Sequence, residues 1–383
     1  MVEVAKELRQ LNAACFFVAY SKKFAYLIEE AGFEVSYLKP LTSEKLAENM
    51  MKFDQGKSLK IPFSQELVEK RVAAEIDFIK NNQIDKVVIG TSMTLFLSAR
   101  ICQVPLIYVK PFAYSEPQIT SGQIFNESFI GILISRAILK FRYVPKAFRQ
   151  IEKQYQQKVF HRTLDLLEAD LNLVTSYPEL TGVTKLPANY QFVGFVYGKL
   201  SAEIPEKILE LRRNSQTLIY FAMGSSANRP LILKLLKILT QLPYTFICPV
   251  AYYLPEYKNK KFAENVYIFD WLPTEKVNSL IDLSFIHGGE GTIQTACLSG
   301  KPFIGLGLQM EQRYNLKISQ KYGNGYQLSK HDITQEKLEK ILELVLTDST
   351  IQKKAEILKQ KLLKKSFNGA KKAAEIILEY PNK

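Results

Sequence analysis

A chain of 383 residues, 47% hydrophobic and 23% charged, is long enough for two domains of ordinary size and too apolar to be disordered. Its formal net charge of +13 exceeds what solubility requires and points to an anionic partner, a nucleotide or an anionic membrane surface; no nucleic-acid recognition motif accompanies the charge. Cys15, Cys102, Cys248 and Cys297 stand singly in apolar segments without CxxC or Cys/His ligand spacing, the pattern of small core residues in a reduced, cytoplasmic protein without a metal site, and no apolar run reaches the length of a membrane span. From the start, residues 1–11 read as an amphipathic helix carrying acids, unlike a signal peptide. The pattern then predicts a strand over 13–20, a helix over 22–31 closed by Gly32, a strand over 33–38, a helix over 65–81, a strand over 86–89, a helix over 95–102 and a strand over 104–109. Between Phe129 and Arg162 apolar residues interleave with Arg136, Lys140, Arg142, Lys146, Arg149, Lys153 and Lys158, opposed by little besides Glu152. That stretch reads either as a basic helix covering the core or as a surface lying on an anionic bilayer.

Strands over 171–175 and 191–193 close the first half, and a loop around Gly194 and Gly198 leads to a helix over 205–213. A second alternation follows: strand 217–222, the loop Gly224-Ser225-Ser226, helix 230–242, strands 244–248 and 266–269, helix 274–282, strand 283–286, helix 290–299, strand 302–306, helix 311–322 and lysine-rich helices to the end. Alternation of this kind implies an α/β fold with parallel, doubly wound sheets, here in two domains, 1–198 and 199–383.

The most informative stretch is Phe285-Ile286-His287-Gly288-Gly289-Glu290-Gly291-Thr292, a buried strand that stops at two glycines and opens a helix. Glycines let the backbone turn tightly and approach a ligand, while the helix start offers unpaired N–H groups and partial positive charge to an anion, here a diphosphate. With Gly288 at the turn, the expected donor contacts are backbone N–H groups near Gly289, Glu290, Gly291 and Thr292, the Thr292 hydroxyl and the His287 imidazole.

The series Trp271-Leu272-Pro273, His287-Gly288-Gly289, Gly291-Thr292, Gly300-Lys301-Pro302, Glu311-Gln312, then Asn315 to Gly325, resembles the nucleotide-sugar-binding half of GT-B glycosyltransferases. The nearest match is the UDP-glycosyltransferase family (glycosyltransferase family 1), with lipid-sugar transferases as cousins. The resemblance implies two Rossmann-like domains facing across a cleft, the first binding the acceptor and the second the donor. It implies inverting transfer of a sugar from a UDP-sugar, less readily a dTDP-sugar, to a lipid or polysaccharide-precursor hydroxyl, with no cofactor or metal, in the cytoplasm or on the inner face of the membrane. It places Gly224 and Ser225 on the phosphates from a second side, Trp271 and Leu272 at the nucleotide base, and Glu311 and Gln312 on the sugar hydroxyls. Other readings are a GT-B nucleotide-sugar epimerase or hydrolase, for which no carboxylate pair is found, and a non-catalytic donor-binding subunit.

Two departures stand out. Thr295 occupies the place of a glutamate that accepts both ribose hydroxyls in the family. More seriously, residues 1–11 match the later part of the family's first helix, so the preceding central strand and its histidine-bearing loop have no counterpart, and neither His161 nor His331 matches the base. Loss of a central strand predicts two half-sheets with unpaired inner edges. Buried amides left unpaired cost roughly 1–3 kcal/mol each, against a domain stability of about 5–15 kcal/mol. The favoured expectation is that Met1 is an internal methionine of a longer protein and that the chain starting there is inactive; the other is a degenerate first domain. The general base is unassigned.

Overall fold

The computed structural model describes all residues except 56, 59–60, 91, 121–127, 199–201, 365–367 and 383. The chain forms two compact units, 1–196 with 368–383, and 197–367.

In the first unit every strand pairing is parallel, and the strands fall into two sheets. β1 (Phe17–Ala19) and β2 (Val35–Tyr37) pair with each other, and β3 (Val87–Ile89), β4 (Leu106–Lys110), β5 (Leu171–Val174) and β6 (Tyr190–Phe192) form a second sheet in that order. Among the described residues β1 pairs only with β2, and β3 only with β4. The middle strands β4 and β5 are almost wholly apolar and buried, as parallel strands covered on both faces must be. The helix Gln65–Asn81 starts where Ser64 Oγ accepts a hydrogen bond from Leu67 N at 3.2 Å, and it buries Val68, Val72, Ile76 and Ile79 with β3 and the helices Leu95–Ile101 and Lys146–Gln154.

A separate cluster joins Val4 and Leu8 of the helix Val2–Gln10 to Ile107, Leu171 and Leu173, and to Ala370, Ala373, Ala374 and Ile377 of the helix Gly369–Glu379. That last helix was expected with the second domain, but it completes the core of the first unit. Its entry is tight. A Cβ on Gly369 would stand 2.3 Å from the Phe195 carbonyl oxygen, and Asn368 Nδ2 donates to Glu7 Oε1 at 2.7 Å.

The second unit holds β7 (Leu218–Ala222), β8 (Thr245–Cys248), β9 (Lys260–Ala263), β10 (Val266–Ile268), β11 (Leu283–Ile286), β12 (Phe303–Gly305) and β13 (Gly325–Gln327) in one sheet, ordered β13-β12-β11-β7-β8-β10-β9. All neighbours are parallel except the β9–β10 pair. The sequence pattern shows no β9, because Lys260 and Lys261 are the exposed cations of an edge strand and leave no apolar alternation. The chain runs outward from β7 through β8 to β10, then returns to β11 on the opposite side of β7. The strand order therefore reverses between β7 and β11, and crevices that take ligands in open α/β sheets open at the carboxyl ends of such a pair.

Candidate functional site

At that reversal the carboxyl ends are level, since Ile286 pairs with Ala222 on one side and with Gly305 on the other. His287 follows directly, its backbone N–H donating to Ala222 O at 3.2 Å. Its imidazole lies between two glycines. A Cβ on Gly224 would come within 2.6 Å of Nε2, and one on Gly289 within 2.5 Å of the same atom. Both positions are glycine because the ring occupies the space a side chain would need. Burial pushes the imidazole pKa down to about 4, so the ring is neutral at pH 7 and carries one N–H, and Nδ1 is buried without a partner among the described residues. Gly288 has φ +82°, and a Cβ there would meet Leu316 Cγ at 2.6 Å and the Gln312 carbonyl oxygen at 2.8 Å.

The N–H groups in the first turn of a helix have no intrahelical acceptor, and the helix Glu290–Ser299 begins on Gly289, which has no side chain to cap them. Ile293 N closes the first turn onto Gly289 O at 3.0 Å, and Thr292 Oγ1 donates to the same oxygen at 2.8 Å. Gly291 is exposed, and a Cβ there would meet nothing within 4 Å. Packing does not ask for that glycine. Thr295 is buried, and its hydroxyl is directed at its own helix, to Gly291 O at 3.1 Å and Thr292 O at 3.2 Å.

The loop after β7 is held from two sides. Tyr253 Oη donates to Gly224 O at 2.6 Å, and Ser226 Oγ donates to Gln309 Oε1 at 2.8 Å while accepting from Gln312 Nε2 at 2.7 Å. Ser225, between them, is exposed. Gln312 is buried, and its amide is saturated inside the protein: Oε1 accepts from Leu308 N and Gln309 N at 3.0 and 3.2 Å, and Nε2 donates to Ser226 and Gln309. The structure thus shows Gln312 tying the helix Met310–Tyr322 to the Gly224 loop, with no bonding direction left for a sugar hydroxyl. Glu311 is half-buried beside it and accepts from Asn315 Nδ2 at 2.5 Å; the same amide donates to Gly288 O at 3.1 Å. Asn315 therefore fixes the glycine turn, a role the motif reading did not assign to it.

Trp271 follows β10 with its indole 54% exposed, so it does not anchor the core, whereas Leu272 beside it is buried. Of the other histidines, His161 and His331 are exposed.

The first unit has its own polar cluster where β1 and β3 end. Glu75, on the helix Gln65–Asn81, is almost wholly buried and accepts hydrogen bonds from Tyr20 Oη at 2.9 Å, Ser92 Oγ at 3.3 Å, Thr94 Oγ1 at 2.5 Å and Ser98 Oγ at 2.8 Å. Tyr20 follows β1, and Ser92 and Thr94 follow β3, so one carboxylate joins the ends of two strands that share no ladder. Arg71 lies over the Tyr20 ring at 3.9 Å and donates to Thr42 Oγ1 at 2.8 Å. Burial raises the Glu75 pKa, and the four hydroxyl donors oppose that shift.

A family model described as UDP-glucoronosyl and UDP-glucosyl transferase matches residues 99–365. The chain belongs to that family. This glycosyltransferase is 24% identical over 327 residues to a PGL/p-HBAD biosynthesis glycosyltransferase of Mycobacterium tuberculosis, across 82% of this chain and 75% of the relative. It is 23% identical over 274 residues to a PGL/p-HBAD biosynthesis rhamnosyltransferase of Mycobacterium bovis, across 69% of this chain and 60% of the relative. Among solved structures, spinosyn rhamnosyltransferase SpnG superposes with a TM-score of 0.68 at 16% identity, over 99% of this chain and 96% of that one. The glycosyltransferase SnogD from Streptomyces nogalater does so at 0.63 and 17% identity, over 98% and 94%. The fold of the glycosyltransferase is GT-B, α/β with two Rossmann-like domains.

Proposed function

We propose that the glycosyltransferase moves a sugar from a UDP-sugar to a hydroxyl of a lipid or polysaccharide precursor, with inversion at the anomeric carbon. The observation that carries this reading is the neutral His287 imidazole seated between Gly224 and Gly289, at the strand reversal and beside an uncapped helix start. Neutral N–H donors and a helix dipole suit a departing diphosphate, whose charge rises as the sugar leaves. In this reading the N–H groups of Gly289, Glu290, Gly291 and Thr292 take the diphosphate, with Gly224 and Ser225 opposite. Trp271 and Leu272 flank the base, Glu311 reads the sugar, and Gln312 positions the loop. A cavity of about 400 Å³ in the first unit, lined by Glu116, Thr120, Arg136, Val183 and Lys185, supports an acceptor with polar and apolar parts. Four free cysteines fit action on the cytoplasmic side.

The test is thermal unfolding with UDP and dTDP. At a hundredfold excess over the dissociation constant, UDP should stabilise by about 2.7 kcal/mol, dTDP less, and Gly289→Val should abolish the effect. Unchanged melting with both nucleotides would end this reading. Incubation with radiolabelled UDP-sugars and membrane lipids then separates transfer from hydrolysis, epimerisation or binding alone.

A further inference from the structure

The helix Phe129–Lys140 carries its side chains the wrong way round for a helix packed in water. Two of its small residues face inward: Gly131 is buried, and Ser135 is fully buried with its hydroxyl donating to Gly131 O at 2.7 Å. Four of its large apolar residues face out, with Phe129 75% exposed, Ile130 68%, Leu133 49% and Ile134 44%, followed by Phe141 at 61%. A surface helix normally buries that stripe. The next helix, Lys146–Gln154, does so, placing Ala147, Phe148 and Ile151 in the core and turning Lys146, Arg149 and Lys153 outward. Arg136 and Lys140 are exposed on the first helix itself. The only acid within 129–156 is Glu152, which is buried and bridged to Arg142 at 3.3 Å. Within 129–156 the exposed surface is therefore apolar with cations as its only charged side chains, and Glu116, which lines a cavity with Arg136, lies outside that stretch.

We infer that this helix is an interfacial anchor. It lies in the headgroup layer of an anionic bilayer, with Phe129, Ile130, Leu133 and Ile134 at the acyl boundary and the surrounding lysines and arginines on lipid phosphates. Charge decides the occupant, because a second copy seated on the same patch would bring a like-charged rim against this one. No helix among the described residues is long and apolar enough to cross a membrane, so the anchor lies on the bilayer instead of spanning it. The inference deepens the lipid-acceptor reading, but vesicle binding is measured without turnover.

Flotation with phosphatidylcholine vesicles, with and without about a third phosphatidylglycerol, tests it. Wild type should float only with the anionic vesicles and be released near ~0.5 M salt, where the Debye length is about 4 Å. The combined change Phe129→Ser, Ile130→Ser, Leu133→Gln, Ile134→Gln should lower partitioning at least about tenfold, as should Arg136→Gln, Lys140→Gln, Lys146→Gln, Arg149→Gln. Arg142 is left in place because it holds Glu152. Both variants should keep the wild-type melting temperature. Phe129→Trp, a single exposed change, adds a reporter whose emission should shift to the blue on anionic vesicles, with Trp271 of the wild type as control. Equal flotation of wild type and apolar variant, no flotation of wild type, no blue shift, or a dimer that the apolar variant dissociates would each overturn the anchor. Anionic flotation without any UDP response would sink the donor reading and leave the anchor standing.

Discussion

The two carboxyl edges of this glycosyltransferase are built on different principles. In the second unit the edge is mostly backbone: glycines at 224, 288 and 289 keep side chains away, one neutral imidazole fills the space, and the Gln312 and Asn315 amides fix the loops from behind. In the first unit the ends of β1 and β3 are tied by side chains, four hydroxyls donating to the buried carboxylate of Glu75. A backbone edge presents N–H groups to a ligand, whereas a carboxylate whose lone pairs are taken by its own protein holds structure together. The difference teaches that a polar cluster at a carboxyl edge is not by itself a binding site; what matters is which groups remain unspent.

If Glu75 is the tie, Glu75→Ala should give the largest effect, a loss of roughly 4 kcal/mol in urea unfolding, because several buried hydroxyls lose their acceptor at about 1–3 kcal/mol each. A loss below about 1 kcal/mol would break the contrast. Glu75→Gln should retain much of the stability.

The edges should also oppose each other in pH. The unfolded chain binds a proton at His287 more tightly than the folded one, whose pKa is about 4 against an ordinary 6.5, so stability is present above pH 6.5 and is lost as pH falls toward 4. The difference amounts to roughly 3 kcal/mol. Glu75 acts in reverse: its folded pKa is raised above the ordinary 4.5, so its contribution is greatest in acid and falls as pH climbs through that raised value. Melting curves from pH 4 to 7 should show the acid-side loss reduced in His287→Asn and steepened in Glu75→Gln; parallel curves for all three proteins would refute both assignments.

Smaller effects sharpen the site itself. Gln312→Ala should cost about 2 kcal/mol, from a buried group with every bond made, and should weaken UDP by loosening the Gly224 loop; a change in sugar preference with unaltered stability would instead restore Gln312 as a sugar contact. Gly291→Ala should stabilise the free protein by about 0.5–1 kcal/mol, as a helical glycine replaced in open space does, yet reduce the UDP shift. If UDP binds the variant as well as the wild type, the diphosphate does not approach the helix start.

Much of the second unit was legible because glycines punctuate it. The strand Leu283–Ile286 and the helix Glu290–Ser299 have the bounds the pattern predicts, set by Gly288, Gly289 and the left-handed Gly300. The helix Gln65–Asn81 was equally plain, yet Glu75 on it went unread although the signal was present: it lies in the stripe Val68, Val72, Ile76, Ile79, where a carboxylate must find buried partners. Gln312 was read as a ligand contact because a carboxylate-amide pair suits sugar hydroxyls, while the spacing from Gln309 to Gln312 is also that of a reciprocal helix cap, which the structure contains. Nothing local assigns the helix Gly369–Glu379 to the first unit. Its lysines describe a solvated face, and only the packed core shows what the alanines meet.

The placement of that helix sets an order of events during synthesis. Residues 197–367 must all be made before Ala370, Ala373, Ala374 and Ile377 emerge to close the core over Ile107 and Leu173. At about 5–20 residues per second, the first-made unit waits on the order of ten seconds or more with an apolar face open, while the later-made unit already has everything it needs. The earlier-made unit finishes last, so chaperone demand and damage from stalled ribosomes should fall on that unit.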